Sequence, residues 1–332
     1  MPTRRRRRRP TIILAFAALA AACKPGTAPD LDAILDTDAS LADYDAVESL
    51  LASPDWEGFR ALGGRSPFSA SPGAPAAAPI ISETHRGATF VYDPATDQYV
   101  VDPDREGAPA TGVRFVLYEV DDAGLPGVEE VIGHANLVDE GDGSAEDVAL
   151  RLVVVANGRT ALDYRTTLDI GLLWGEITVL GFLESENGVR LDFDIEARGT
   201  QSPGGGTLDV TFDLGVESRG FSITGSVSGV EEGGEGEGEV ELTVRHRHHT
   251  IEVDMTGASG QLDGSLLLND QLFATVGGDE ESPTILSADG DPLTFDEQLV
   301  LHRVLDTIED VFDFLEDLVD PVDELVLVGI IL

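Results

Sequence analysis

From residue 148 to residue 276, apolar and polar side chains exchange places at nearly every step. Leu191, Phe193, Ile195 and Ala197 alternate with Asp192, Asp194 and Glu196. Leu208, Val210, Phe212, Leu214 and Val216 alternate with Asp209, Thr211 and Asp213. Val240, Leu242 and Val244 alternate with Glu239, Glu241, Thr243 and Arg245, and Ile251, Val253 and Met255 with Glu252, Asp254 and Thr256. Further sets are Leu162, Tyr164, Leu168 and Ile170; Phe221, Ile223 and Val227; Leu262, Leu266 and Leu268; and Leu272, Ala274 and Val276. A period of two is the mark of extended backbone, whose successive side chains point to opposite faces. Each strand therefore has one face for water and one for burial.

The breaks between these runs are short and turn-like: Asn157-Gly158, Asn187-Gly188, Pro203 to Gly206, Arg219-Gly220, Gly257 to Gly260 and Asn269-Asp270. Asn-Gly between alternating runs is a strong hairpin signal. Links this short join antiparallel neighbours, because a parallel pair needs a long crossover. The sequence thus predicts a mainly β protein, a large antiparallel up-and-down meander forming a curved sheet or half-open barrel. Segments 87–93, 98–102 and 112–120 extend it toward the N-terminus, and 121–147 reads as an acidic insertion.

An apolar sheet face must be covered. Thr294 and Glu297 form a capping-box pair, and Leu301, Val304, Leu305, Ile308, Val311, Phe312, Leu315, Leu318 and Val319 recur at helical spacing. They predict an amphipathic helix over 295–319 as the cover. The apolar tail Leu325 to Leu332 is too short to span a bilayer as a helix and is expected to be buried. Short helices are expected within 23–62, where Leu41, Tyr44, Val47, Leu50 and Leu51 keep helical spacing. Residues 63–82 read as a Gly/Pro/Ala linker, and 83–332 as the β domain.

The N-terminus has a different character. Arg4 to Arg9 form a basic run, and the uncharged stretch Thr11 to Ala22 follows, too short to cross a bilayer core. This is the layout of a secretory signal over 1–22. The run Leu19-Ala20-Ala21-Ala22-Cys23 resembles the lipobox of bacterial lipoproteins, although Ala20 stands where that family prefers leucine. The resemblance implies that Cys23 is acylated and becomes the mature N-terminus. Cys23 is the only cysteine, so no intramolecular disulfide competes for it. Lys24 next to it is not the aspartate associated with inner-membrane retention, which points to the outer membrane. The predicted layout is also similar in outline to the bacterial lipoprotein carriers, in which a half-open barrel closed by helices shelters an acyl chain.

The formal net charge is −41, and removal of residues 1–22 would take away arginines and no acids. That balance argues against nucleic-acid binding, which needs basic surface. It favours divalent cations or basic partners.

Candidate chemistry is sparse. His246 and His248 share the parity of Val244 and form a weak candidate metal pair, with Arg245 and Arg247 opposing a cation. Glu231 to Glu241 reads as a flexible acidic loop that could bind calcium weakly through its carboxylates, and better as a solvated charged hairpin. Asp289-Gly290-Asp291 and Glu140-Gly141-Asp142-Gly143 resemble calcium loops but lack the full spacing and read as turns. Trp174 and Trp56 fit a core or edge position better than a ligand cavity. His85, His134 and His302 are isolated, and no nucleophile elbow, phosphate loop or dinucleotide fingerprint is present. No catalytic residue and no cofactor is expected. The expectation is a lipid-anchored envelope protein that holds an apolar or lipid ligand on its inner face. The rivals are a structural or adhesive acidic lipoprotein that binds cations or a protein partner, and an outer-membrane β-barrel.

Overall fold

The computed structural model describes residues 81–120, 125–141, 147–202, 204–233, 235–279 and 282–295, together with Gln298 and Leu301. Among them are fifteen strands: β1 (Thr89–Asp93), β2 (Gln98–Asp102), β3 (Gly112–Val120), β4 (Pro126–Asp139), β5 (Asp147–Ala156), β6 (Arg159–Ile170), β7 (Trp174–Glu184), β8 (Arg190–Ser202), β9 (Gly205–Val216), β10 (Phe221–Glu232), β11 (Glu235–His246), β12 (His249–Ala258), β13 (Gln261–Leu268), β14 (Gln271–Asp279) and β15 (Thr284–Ser287). Hydrogen bonding orders them β15-β14-β13-β12-β11-β10-β9-β8-β7-β6-β5-β4-β3-β1-β2, so from β3 onward each strand pairs with the next in sequence. The meander is as expected, and its turn chemistry explains it. Asn157 and Gly158 both have positive φ (51° and 80°), as a tight right-twisting hairpin requires. Ser259-Gly260 and Asn269-Asp270 make the same turn with φ of 54° and 78°, and 51° and 64°.

Four expectations need correction. First, the sheet is not wholly antiparallel. The β1–β2 hairpin turns back, and β1 lies parallel to β3, with Phe90 opposite Phe115. The link 103–111 is long enough to permit this. Second, the acidic insertion over 121–147 contains β4. Its apolar residues do not alternate, and bulges beside Leu117 and Tyr118 shift its register against β3, so period two is lost in the sequence. Third, of the two readings of Glu231 to Glu241, the flexible loop is dropped and the charged hairpin holds. The segment forms the tip of the β10–β11 hairpin, with Glu232 opposite Glu235 and Ser226 opposite Glu241. In this segment glutamate alternates with glycine, so the period is two although no apolar residue announces it. Fourth, β7 is a strand whose apolar residues fall on both faces: Val179 and Leu183 are buried while Leu180 is exposed.

The N-terminal helices expected in 23–62, the signal, Cys23 and the tail 325–332 lie outside the described residues. So does the linker up to residue 80. Of the helix expected over 295–319, only Phe295, Gln298 and Leu301 are described. The Gln298 backbone N–H donates to the Thr294 carbonyl (2.9 Å), and Gln298 and Leu301 are buried while Phe295 is exposed.

The chain divides into two compact units. The first comprises, among the described residues, 81–200 and 212–218, and hence β1 to β7 and nearly all of β8. The second comprises 201–211 and 219 onward, and hence β10 to β15.

In the first unit, the registers carry one apolar face across successive strands. One row runs Phe90, Phe115, Ala135, Val154, Leu162, Leu183, Leu191, and every member is buried. Beside it run Val113, Leu137, Leu152, Tyr164, Gly181 and Phe193. The opposite face carries ion pairs. Arg151 grips Asp163 with two hydrogen bonds (2.8 and 2.7 Å), Arg165 meets Glu140 (2.9 Å), and Arg198 meets Glu176 (2.6 Å). Such exposed pairs are each worth at most about 1 kcal/mol, so the apolar face supplies most of the stability.

In the second unit, the apolar face carries Val240, Met255 and Val276 in one row and Leu242, Val253, Leu266 and Ala274 in the next, all buried. Its other face is acidic. Glu241 stands directly opposite Asp254, and Glu239 and Glu237 follow on the same face of β11. Like charges directly opposite in a sheet repel. Glu241→Gln should therefore stabilise the protein by about 0.5 kcal/mol in urea melts at low salt, and the gain should shrink as salt screens the pair. An unchanged or lowered midpoint at low salt would contradict the register.

Candidate functional site

The feature most open to a functional reading is the apolar face of the first unit around β6, β7 and β8. Tyr164 on β6 and Phe193 on β8 flank Gly181 on β7 in one cross-strand row. The two rings lean toward each other over the glycine, with centroids 6.3 Å apart. A β-carbon at Gly181 would collide with the Asp163 carbonyl oxygen and with Tyr164 itself. Glycine here is thus the condition for the aromatic pair to close over the strand between them. Burial holds the Tyr164 phenol well above its ordinary pKa, so it stays neutral and protonated across the physiological range.

One step along, the next row contains Leu150, Thr166, Val179 and Ile195. Thr166 is 4 % exposed, and among the described residues its hydroxyl has no hydrogen-bond partner. Leaving a hydroxyl buried without a partner costs about 1–3 kcal/mol. Thr166→Val keeps the shape and removes the hydroxyl. If nothing in the folded protein bonds to it, the variant should be more stable by about 1 kcal/mol in thermal or denaturant unfolding.

The candidates named from the sequence fall elsewhere and are not brought together. His246 ends β11 and is buried, 2 % exposed, opposite Phe221 and His249. His248 lies in the turn after it, on Arg247-His248, and is exposed. The shared parity that paired them ends where the strand ends, because Arg247 takes a φ of 54° to form the turn. His249 instead receives a hydrogen bond from the side-chain amide of Asn269 (3.3 Å), whose carbonyl oxygen accepts from the Thr250 backbone N–H (2.9 Å). These contacts are those of a hairpin end. Among the described residues, no group of three or more His, Cys, Asp or Glu side chains is placed to hold a metal ion.

Asp289-Gly290-Asp291 is a turn: Gly290 has a φ of 83°, and the Ser287 N–H donates to the Asp291 carbonyl (2.7 Å). Glu140 is engaged by Arg165, while Asp142 and Gly143 lie outside the described residues. His85 accepts or donates at Nδ1 with the Ser82 hydroxyl (2.9 Å) and sets its ring edge against Phe90. His134 on β4 is half-buried, and desolvation, with the nearby Arg114 cation, holds its pKa below the usual imidazole value. Trp174 begins β7 and is 43 % exposed. Trp56, His302 and Cys23 lie outside the described residues.

Thr166 was not singled out from the sequence, yet the signal was present. It fills the polar gap in the set Leu162, Tyr164, Leu168 and Ile170, at a position that the period assigns to the apolar face. Gly181 gave no such signal, since its role depends on which residues stand opposite it.

No helix among the described residues is long and apolar enough to cross a membrane, which leaves strands unaddressed. No family model, curated protein or solved structure matches the chain.

Proposed function

We propose that the chain is a lipid-anchored bacterial envelope protein, held through acylated Cys23, that shelters an apolar or amphiphilic ligand on the inner face of its sheet. The reading joins two lines of argument. The N-terminal layout and the Leu19 to Cys23 run supply export and the anchor, with the outer membrane as the expected site. The supporting observation from the fold is the buried Thr166 hydroxyl in an otherwise apolar row beside Tyr164 and Phe193. A core built only for packing gains nothing from that hydroxyl, whereas an amphiphile with one polar atom would satisfy it.

Native mass spectrometry and solvent extraction of protein purified from its own membrane should recover a bound amphiphile. Thr166→Val should reduce its occupancy while leaving the fold intact. Repeated extraction of ligand-free protein with an unchanged melting profile would end this reading.

A second reading, a structural or adhesive lipoprotein that binds cations, draws on the acidic face where Glu241 opposes Asp254. Calcium that bridged such residues would raise the melting temperature, and the rise would continue with the logarithm of free calcium above the dissociation constant. A flat calcium titration would remove it.

A further inference from the structure

The β6–β7 hairpin ends in an unusual tip. Gly171, Leu172 and Leu173 join Ile170 to Trp174, and the Gly171 N–H donates to the Trp174 carbonyl to close the turn (2.9 Å). Leu172 is 97 % exposed, Leu173 57 % and Trp174 43 %. No other three consecutive residues among the described ones are all large, apolar and exposed. Single exposed apolar residues are ordinary, but two leucines and a tryptophan at the apex of one hairpin call for an occupant.

The geometry points to the tip as a membrane-insertion element: we infer that Leu172, Leu173 and Trp174 enter the interfacial layer of a lipid bilayer. Four observations carry this. The stretch 170–175 contains no charge. The apex holds the most exposed aliphatic side chain, while the indole sits lower, at the strand start, as suits a residue that prefers the headgroup level. The indole is also fixed in place: it lies across Gly171, where any β-carbon would strike it. Finally, on the hairpin itself the first charges below the tip are Asp169 and Glu176, directly opposite each other, with Asp147 of β5 paired to Asp169 in register and Glu176 held by Arg198 (2.6 Å). Three residue steps, from Asp169 to Leu172 and from Glu176 to Leu173, at roughly 3.3 Å each give a reach of about 10 Å along the hairpin. Interfacial segments bury their apolar groups about 5–10 Å deep, so the acidic pair acts as a depth stop.

A protein partner fits less well. Three side chains offer far less than the ~800 Å² that each side of a standard interface buries. The acids beneath the tip and the net charge of −41 select a zwitterionic rather than an anionic lipid surface.

The inference deepens the membrane-anchored reading, and its test separates the two. The chain has two tryptophans, so Trp56→Phe leaves Trp174 as the sole indole. The full chain carrying that substitution is mixed with phosphatidylcholine vesicles, with and without bromine on the acyl chains. Flotation and Trp174 emission are both read. The expected result is a shift of emission to shorter wavelength and quenching by bromine near the headgroups. Leu172→Ser with Leu173→Ser should abolish both, and Cys23→Ser should leave the quenching intact. In the Cys23→Ser chain, vesicle affinity should fall about tenfold or more per leucine removed.

Flotation of the Cys23 chain with an unquenched Trp174 would overturn the tip and leave the anchor standing. An emission shift that follows protein concentration and ignores vesicles would overturn it in favour of a second copy. Flotation that requires the leucines but not Cys23 would support the tip and remove the anchor.

Discussion

Replacing Phe193 with alanine is expected to destabilise the unit built on β1 to β8 by about 3–5 kcal/mol, the range for emptying a large aromatic from a close-packed core. The ring is 2 % exposed and sits in one row with Val113, Leu137, Leu152, Tyr164 and Gly181. Its loss removes the partner of Tyr164 across Gly181, and glycine has no side chain to fill the gap. The cavity would therefore collapse less than it would beside a larger neighbour, which places the cost toward the upper end. Denaturant unfolding followed by near-ultraviolet circular dichroism measures it, with Asp194→Ala, next along the strand and exposed, as the control. A midpoint no lower than the control's would mean that Phe193 does not face this core. The reading as a carrier adds a second expectation: the alanine variant should lose any bound amphiphile along with stability.

How far the fold could be read in advance depended on whether period two survived in the side chains. It survives in Arg190 to Ala197, Leu208 to Val216 and Phe221 to Ser228, where aspartate, glutamate, serine and threonine separate most of the apolar residues. The same rule, turned to Asn157-Gly158 and Asn269-Asp270, gave the hairpins, because those residues tolerate the positive φ that the turns require. It fails in β4, where bulges shift the register beside Leu117 and Tyr118. A bulge adds one residue to one strand, so parity changes sides part-way along and no single period describes the segment. In Glu235 to Glu239 the period is present but written in glutamate and glycine, so composition left a loop open beside the charged hairpin that forms. The parallel pairing of β1 with β3 depends on a long-range contact, Phe90 on Phe115 with centroids 5.2 Å apart, which no local pattern encodes.

The candidate site was less legible than the fold for the same reason. His246 and His248 were paired by parity, and parity holds only within a strand. The turn that begins at Arg247 leaves one imidazole in the core and the other in water. Thr166 and Gly181 matter because of what stands beside them on β5, β7 and β8, and register is set by the sum of many pairs rather than by either residue. The tip at Leu172 to Trp174 is a case of the opposite kind. Three apolar residues between two strands look like part of a core, and only their exposure separates a hairpin apex from buried chain.

The register itself is open to a test in which one substitution has opposite signs at two positions of one strand. Gly175 and Gly181 both lie on β7 with the same parity, opposite Ile170 and Tyr164 of β6. An added β-carbon at Gly175 meets nothing nearer than the Asp169 carbonyl oxygen at 3.9 Å, an ordinary contact. Gly175→Ala should therefore stabilise by about 0.5 kcal/mol, because alanine reduces the freedom of the unfolded chain at no steric cost. At Gly181 the same methyl group strikes the Asp163 carbonyl and the backbone of Tyr164. No rotamer change relieves a clash with backbone, so β6 and β7 must separate locally and lose ladder hydrogen bonds. The cost is expected to be about 3 kcal/mol, at the severe end of overpacking. Parallel unfolding curves for the two variants decide the matter. If both alanines are tolerated alike, Gly181 does not lie between Tyr164 and Phe193, and the apolar face assembled from β5 through β8 must be redrawn by one residue.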